Sequence, residues 1–248
     1  MNLAIVILAA GKGTRMESDL AKVLHPLCGK PLVHWVLEAV APLQAQQTVV
    51  VVGHQAEVVE AAVRDRFPNC EFAVQSPMLG TGHAVQCAQS QLPKTDGDIV
   101  VLCGDAPLVQ SSTLHQLVQM RRDNNSLATM MVAQAEEPGS YGRVLIDEQN
   151  RVSRIVEAKD ASPEELAVKT VNAGTYCFEG AALWHYLSKL GNNNKSGEYY
   201  LTDVIGFMND DGKRVDALVV DEREMTGVNT RAQLQELENQ LRSEGLCN

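Results

Sequence analysis

Short apolar runs alternate with segments of helical periodicity over the first 133 residues. The runs at 3–10, 48–52 and 99–102 carry no charge, which is typical of strands buried on both faces of a parallel sheet. This alternation predicts an α/β fold: a Rossmann-like, open, mostly parallel (mixed) sheet with helices on both faces. The predicted strands of this part are 3–10, 48–52, 70–74, 99–102 and 127–133, and the predicted helices are 32–41, 56–67, 80–91 and 111–122.

The regular alternation of strand and helix patterns ends after residue 135, where turns separate shorter apolar segments. This half predicts a smaller mixed α/β lobe that covers the carboxyl edge of the sheet, where ligands bind in such folds. Its predicted strands are 142–146, 152–157, 170–178 and 215–220, and its predicted helices are 181–190, 200–209 and 230–243.

Net charge limits the partners of this chain. Its 248 residues include 21 basic and 31 acidic ones, for a formal charge of −10, and only 4% of them are aromatic. An acidic chain with few stacking side chains does not favour nucleic acid as a partner. Any phosphate must therefore be bound by a local loop.

Cysteine spacing and apolar length suggest where the protein works. No two cysteines form a CxxC pair, so we expect reduced thiols in a cytoplasmic protein, with neither a zinc site nor a disulfide framework. The N-terminal apolar run has eight residues, which is too short to span a membrane. The cysteines are Cys28, Cys70, Cys87, Cys103, Cys177 and Cys247.

A glycine-rich segment, 11–15, follows the first predicted strand, and Lys22 comes seven residues after it. Glycines let a backbone turn tightly and expose N–H groups to an anion, and Arg15 adds a planar cation suited to phosphate. The segment is not a Walker A loop, because no Gly-Lys-Ser/Thr ends a GxxxxGK pattern, and it is not a dinucleotide fingerprint, because Met16 stands at the third glycine position. A plain turn with surface cations stays open as the alternative.

Two oxygen-bearing side chains are candidates for binding a metal. Asp105 comes just after a buried strand, where a carboxylate can bind Mg²⁺ together with substrate phosphates; its alternative is a turn-forming aspartate before Pro107. Asn229 precedes a predicted helix, so it is either the N-cap of that helix or a second metal ligand.

Other polar residues stand at the ends of predicted elements. Gln75 could read the edge of a base with its amide, and Gly80 allows close approach to a flat ligand, whereas Thr81 has helix capping as its alternative role. Glu157 and Asn172 suit sugar hydroxyls and an amide, with turn or salt-bridge chemistry as the alternative. His83 is expected to be structural.

Taken together, these residues resemble the sugar-1-phosphate nucleotidyltransferases. The similarity is close to one branch, the N-terminal uridylyltransferase domains of the bifunctional enzymes that make UDP-N-acetylglucosamine in bacteria. The shared stretches run from residue 6 to about 231: LAAGKGTRM with Lys22, QxxxLGTGHA, GDAPL, YGR, EAKDA, NAG, NNNxxGEYYLTD and GVNTR.

The resemblance implies roles for individual residues, with UTP and N-acetylglucosamine-1-phosphate as substrates and Mg²⁺ as cofactor. The implied nucleotide-binding residues are Leu8, Ala9, Ala10, Gly11, Gly13, Gln75, Gly80 and Thr81. The implied catalytic residues are Arg15, Lys22 and Asp105. The implied sugar-binding residues are Gly142, Glu157, Asn172, Tyr200 and Thr202. The implied metal ligands are Asp105 and Asn229.

The resemblance also implies a division of the chain. Residues 1–231 would form the nucleotidyltransferase domain, of which 1–133 bind the nucleotide and 134–231 mainly the sugar. Residues 232–248 would form a C-terminal helix that leads, in the bifunctional enzymes, to a trimerising acetyltransferase domain, which we expect to be absent here. The oligomeric state stays open without that domain.

Two positions depart from the pattern of this branch, and two other functions stay open. Ala21 stands where the branch often has proline, and Cys103 where it often has tyrosine. A sister nucleotidyltransferase with another base or sugar is the first alternative. The second is a non-catalytic nucleotide-sugar sensor, which would be expected to have lost Arg15, Lys22 or Asp105.

Overall fold

A computed structural model describes residues 2–92 and 97–247. Its strands are β1 (Leu3–Ala9), β2 (Pro26–Leu27), β3 (Lys30–Pro31), β4 (Gln47–Val52), β5 (Glu71–Val74), β6 (Asp98–Cys103), β7 (Ala128–Gln134), β8 (Arg143–Ile146), β9 (Val152–Val156), β10 (Thr170–Glu179) and β11 (Val215–Val220). Its α-helices are α1 (Leu32–Val40), α2 (Ala56–Arg66), α3 (Thr81–Ala88), α4 (Ser111–Asn124), α5 (Pro163–Leu166), α6 (Gly180–Leu187), α7 (Thr202–Asp210) and α8 (Arg231–Ser243). Each strand and helix predicted above lies within a few residues of one of these.

One mixed sheet organises the described residues, with the strand order β11-β7-β10-β6-β1-β4-β5. All neighbouring pairs along this order are parallel except those that involve β10, which is antiparallel to both β6 and β7. The prediction of an open, mostly parallel sheet is confirmed. Because the carboxyl ends of β1, β4, β5 and β6 share one edge, the loops that follow these strands meet there.

Alternating side chains of the central strands fill two cores, one on each face of the sheet. Ile5 and Ile7 of β1 pack with α1, α2 and α4, whereas Ala4 and Val6 pack with α3, α6 and α7. This two-residue period explains why β1 is apolar throughout. Within the described ranges, no helix combines the length and the apolar character that crossing a membrane requires.

The second half of the chain both completes the sheet and extends beyond it. Strands β10 and β11 join the main sheet, and the β8–β9 hairpin pairs with β10 outside the main order. Helix α7 packs on β9, which gives the smaller mixed lobe. The parallel pairing of β11 with β7 brings the segment after β11 to the carboxyl edge.

A third, smaller core joins α8 to the β2–β3 hairpin and buries Met16. A disulfide between Cys28 and Cys247, whose Cα atoms are 5.3 Å apart, links the hairpin to the chain after α8. The prediction that the chain has no disulfide is therefore wrong. The two cysteines are 219 positions apart, so their spacing gave no sign of the pairing.

Candidate active site

The glycine-rich loop leaves the carboxyl end of β1 and turns at Gly13. Gly13 has a left-handed backbone (φ 67°), and a Cβ atom there would lie 2.6 Å from Cβ of Lys22. Only glycine satisfies both conditions without displacing the lysine. The next turn, Thr14–Met16, exposes Arg15 and buries Met16. The loop thus presents two cations, Lys12 and Arg15, and packs directly against a third, Lys22.

Four polar side chains converge beside this loop. The ammonium of Lys22 forms an ion pair with the carboxylate of Asp105 and donates to Oδ1 of Asn229 at 3.1 Å. Nη2 of Arg15 donates to the same Oδ1 at 3.0 Å. The side chains of Lys22 and Asp105 are only 18% and 13% exposed, so solvent screens this pair weakly. The structure therefore brings together all four residues predicted as catalytic or metal-binding.

Asn229 is not the N-cap of α8, so that structural interpretation is wrong. Thr230 occupies the cap: its hydroxyl accepts from the N–H of Gln233 at 3.1 Å, and the Gln233 side chain accepts from the N–H of Thr230 at 3.1 Å. This capping box lies one residue later than the sequence pattern suggested. The amide nitrogen of Asn229 instead donates to the carbonyl of Gly227 at 3.1 Å, which leaves its oxygen facing the two cations.

The oxygens of Asp105 and Asn229 form a donor pair that fits Mg²⁺. Both contact the Lys22 ammonium, so this position already favours a cation. Magnesium often takes one or two protein oxygens and obtains its other ligands from water and substrate phosphates. Among the described residues, no group of three or more His, Cys, Asp or Glu side chains could hold a metal. The pair suits an ion that arrives with a phosphate.

A cavity of about 300 Å³ opens beside Lys22 and Asp105. Gly13 does not line it, and its role in the structure is to pack against Lys22. Met78 and Glu198 line it, although sequence reasoning assigned neither; the position of Glu198 in the GEYYLTD run was the available signal. The predicted nucleotide-binding residues that line the cavity are Leu8, Ala9, Ala10, Gly11, Gln75, Gly80 and Thr81.

Gln75 is nearly fully buried at the wall of this cavity. Its amide nitrogen donates to the carbonyl of Gly80 at 2.9 Å and lies 3.2 Å from Nδ1 of His83. With the imidazole proton on Nε2, both amide N–H groups have acceptors. The carbonyl oxygen of Gln75 is then the group left for a ligand, and His83 has the structural role expected of it.

The start of α3 is shaped by the second half of the chain. Gly80 has φ 109°, and a Cβ atom there would lie 2.7 Å from the carbonyl oxygen of Tyr199. The hydroxyl of Thr81 accepts from the N–H of Leu201 at 3.0 Å and makes no capping bond. The capping interpretation of Thr81 is therefore wrong. The space that Gly80 leaves is filled by the backbone of Tyr199 and by Cβ of Glu198.

The predicted sugar-binding residues meet near the bulge in β10. The hydroxyl of Thr202 donates to Glu157 at 3.0 Å, and a Cβ atom on Gly142 would lie 3.5 Å from the same carboxylate. The carbonyl of Gly142 accepts from the backbone N–H of Asn172 at 2.9 Å. The side-chain oxygen of Asn172 accepts from the N–H of Gly174, also at 2.9 Å. Strand β10 loses its regular register here, which frees this segment to turn toward the carboxyl edge.

A second cavity, of about 430 Å³, is lined by Glu157, Tyr200 and Thr202 together with Asp160 and Asp203. Burial raises the pKa of Glu157, and the Asp203 and Asp160 carboxylates raise it further, against the opposing effect of the Thr202 hydrogen bond. An acceptor-rich wall of this kind suits hydroxyl and amide donors. Arg154 lines the same cavity, so its wall also carries one positive charge.

The two departures from the branch pattern have local explanations. The backbone N–H of Ala21 donates to Oε1 of Gln55 at 2.8 Å, a bond that proline could not make. Cys103 lines the first cavity, and burial raises the pKa of its thiol to about 12, so the group is neutral. Its sulfur faces the carbonyl of Gly174 at 3.9 Å. Neither residue removes a charge from the site.

The sequence of this chain is similar to one family model and to several known proteins. A family model for the MobA-like NTP transferase domain matches residues 5–185. The chain is 47% identical over 238 residues to the bifunctional protein GlmU of Shouchella clausii, covering 96% of this chain and 52% of that protein. It is 47% identical over 237 residues to GlmU of Pelobacter propionicus, covering 94% and 51%. The chain thus spans about half the length of the curated relatives it matches.

Solved structures share the fold. A UDP-glucose pyrophosphorylase complexed with UDP-glucose superposes with a TM-score of 0.81 at 19% identity, covering 98% of this chain and all of that one. Its apo form superposes with a TM-score of 0.79 at 19% identity, covering 99% of this chain and all of that one. At this identity the likeness concerns the arrangement of strands and helices alone.

Proposed function

Because the chain belongs to the family of MobA-like NTP transferase domains, we propose that it transfers the uridylyl group of UTP to N-acetylglucosamine-1-phosphate and releases pyrophosphate. The observation that carries the proposal is the convergence of Arg15 and Lys22 on Asp105 and Asn229, beside a cavity of about 300 Å³. Two cations and two oxygen donors at one point match the needs of a triphosphate with a bound metal ion. The sequence resemblance supports uracil as the base and N-acetylglucosamine as the sugar.

In the proposed reaction, an oxygen of the sugar phosphate attacks the α-phosphorus of UTP in line, and the bond to pyrophosphate breaks. The attacking phosphate is already ionised, so the protein supplies no general base. Its contribution is to position the two reactants and to neutralise charge on the phosphates. Arg15 and Lys22 are the residues proposed to do this for the triphosphate and the leaving pyrophosphate.

Asp105 and Asn229 are the proposed magnesium ligands. Bound Mg²⁺ would offset the negative charge of the phosphates. A bound metal ion would compete with the Lys22 ammonium for the Asp105 carboxylate, and the ammonium would then be available to contact a phosphate.

Gln75 is proposed to recognise the base. Its carbonyl oxygen accepts a hydrogen bond from N3–H of uracil, a donor that cytosine lacks at that position. The 8–11 segment is proposed to lie against the uracil and ribose, with Gly80 and Thr81 on the base; all of these residues line the cavity. Residues 1–133 thus bind the nucleotide for the most part, although Asn229 and Glu198 reach the same region from the second half.

The sugar is proposed to bind mainly to residues 134–231. The Glu157 carboxylate accepts from sugar hydroxyls, and Thr202 holds that carboxylate in place. The side chains of Asn172 and Tyr200 and the backbone of Gly142 complete the contacts with the acetamido sugar.

A pyrophosphate-release assay tests the proposal over a grid of four NTPs and several sugar-1-phosphates, with Mg²⁺ and with EDTA. We expect the highest kcat/KM for UTP with N-acetylglucosamine-1-phosphate, and no release in EDTA. A different preferred pair would assign the chain to a sister nucleotidyltransferase. Binding of UTP with no magnesium-dependent release would overturn enzymatic function and leave a sensor.

A further inference from the structure

Arg231 reaches from the first turn of α8 to the backbone of the glycine-rich loop. Its Nε donates to the carbonyl of Met16 at 2.8 Å, and its Nη2 donates to the carbonyl of Glu17 at 2.5 Å. These carbonyls belong to the two residues that directly follow Arg15. One guanidinium therefore holds two consecutive peptide groups that lie far from it along the chain.

The loop needs such a support because it has little regular structure of its own. It begins with a left-handed residue, Gly13 (φ 67°), and ends with another, Glu17 (φ 48°). A non-glycine residue in that region of backbone conformation is strained. Within the turn, the N–H groups of Met16 and Glu17 bond back to Gly13 and Thr14. The carbonyls of the last two residues point outward, where Arg231 meets them.

Residues 228–231, which include Arg231, also hold the side chain of Arg15. Asn229, two residues before Arg231, accepts from the Arg15 guanidinium at 3.0 Å. Val228, in turn, donates its backbone N–H to the carbonyl of Asp105 at 2.9 Å. Residues 228–231 therefore contact the Asp105 loop, the head of Arg15 and the backbone that follows Arg15.

We propose that Arg231 is a positioning residue for nucleotidyl transfer, which fixes the end of the glycine-rich loop so that Arg15 faces the triphosphate. This inference rests on the proposed function. Arg231 acts through Arg15 and does not touch the reacting atoms. A guanidinium suits the role because its fork bonds two acceptors in fixed geometry, which a lysine ammonium cannot reproduce.

A double-mutant cycle tests the proposal. We expect Arg231→Gln to lower kcat/KM by about 10- to 100-fold, in line with the cost of misplacing a catalytic group. Combined with Arg15→Ala, it should lower activity by no more than about twofold beyond Arg15→Ala alone, because the two residues act as one unit. Arg231→Lys, which retains the charge, should recover only part of the loss. Arg242→Gln is the matched control, since it removes a surface arginine from the same helix.

Hydrogen exchange gives a second readout that needs no catalysis. Arg231→Gln should speed exchange in a peptide covering residues 10–20, whereas Arg242→Gln should leave it unchanged, with similar melting temperatures in both variants. Full additivity with Arg15→Ala, or wild-type activity in Arg231→Gln, would overturn the proposal. If the wild-type protein releases no pyrophosphate, the proposed function fails, and faster exchange at the loop would still show the support by Arg231.

Discussion

Lys22 and Asp105 form an ion pair across 83 positions of sequence, at the point where the loops after β1 and β6 meet. Asn229 accepts from the same ammonium, so three segments of the chain are joined by one charged group. Replacing Lys22, Asp105 or Asn229 therefore changes the surroundings of the other two side chains. Useful variants are those that separate the function of this cluster from the stability of the fold.

Asn229→Ala should lower activity and Thr230→Ala should lower stability, although the two residues are adjacent. Thr230 caps α8, so its loss should cost about 1 kcal/mol in the free energy of unfolding. The Asn229 side chain makes no capping bond, and its backbone N–H, which donates to Gln233 at 2.9 Å, is kept in alanine, so Asn229→Ala should leave stability nearly unchanged and lower kcat by about 100-fold. Urea unfolding and pyrophosphate release measure the two effects.

Thr230→Ser, which keeps the hydroxyl, is the control for the cap. Equal loss of stability in Asn229→Ala and Thr230→Ala would mean that Asn229 shares the capping role. That result would return it to the purely structural interpretation.

Gly13→Ala should abolish most activity, beyond what backbone strain alone explains. An added Cβ would lie 2.6 Å from Cβ of Lys22 and push the lysine away from Asp105. The left-handed backbone adds a cost of about 1 kcal/mol in folding stability. Kinetics and thermal unfolding of the variant measure both effects.

Gly212→Ala serves as the matched comparison. Gly212 has nearly the same φ (66°), and a Cβ atom added there would have open space around it. It should lose a similar amount of stability and keep full activity. Normal turnover in Gly13→Ala would contradict the tight packing between the loop and Lys22.

The stability of the protein should depend on pH through Glu157. Burial raises the pKa of this carboxyl above its ordinary value of 4.5, so the folded protein binds more protons than the unfolded chain between the two pKa values. The free energy of unfolding that Glu157 contributes therefore falls as pH rises through that window. Glu157→Gln removes this titration, so the variant should gain stability relative to wild type as pH rises, and then level off.

Urea unfolding over about pH 4 to 8 measures this difference. Glu148→Gln, which replaces an exposed glutamate in the β8–β9 turn, is the matched control variant. Parallel pH profiles for wild type and Glu157→Gln would show that the pKa of Glu157 is not raised.

Reduction of the Cys28–Cys247 disulfide should destabilise the protein by about 2–4 kcal/mol, because the cross-link restricts the unfolded chain. Urea unfolding with and without dithiothreitol measures the effect. Cys247→Ser should match the reduced wild type and should not respond to the reductant.

A thiol count provides the check. The denatured, unreduced protein should titrate four thiols, from Cys70, Cys87, Cys103 and Cys177, and should titrate six after reduction. Six thiols before reduction would contradict the disulfide.

The strands and helices could be predicted from sequence because periodicity is a local property. The run at 3–10 matches β1 closely, and the helical spacing at 230–243 matches α8 within one residue. Which strands pair in the sheet, and which cysteines join, is not a local property of the sequence. The position of β10 between β6 and β7, and the joining of Cys28 to Cys247, depend on contacts between distant segments that no spacing encodes.

The candidate site could likewise be predicted from sequence only in part. The glycines, cations and carboxylates of the site could be picked out from their residue types and motifs. The capping of α8 was misplaced by one residue because both Asn229 and Thr230 are good N-caps, and only the position of Gln233 separates them. The packing role of Gly80 could not be predicted, because its missing side chain accommodates Tyr199, a neighbour in space that lies far along the chain.

The place of β10 in the sheet bears on how the protein is made. A ribosome releases β1, β4, β5, β6 and β7 well before β10, yet β10 separates β6 from β7 in the finished sheet. Until residue 179 emerges, β6 has an open edge, and such edges invite pairing with other chains. A fragment ending near residue 133 would keep that edge permanently. Residues 1–133 should therefore fold only together with the second half, during or after synthesis of the whole sheet.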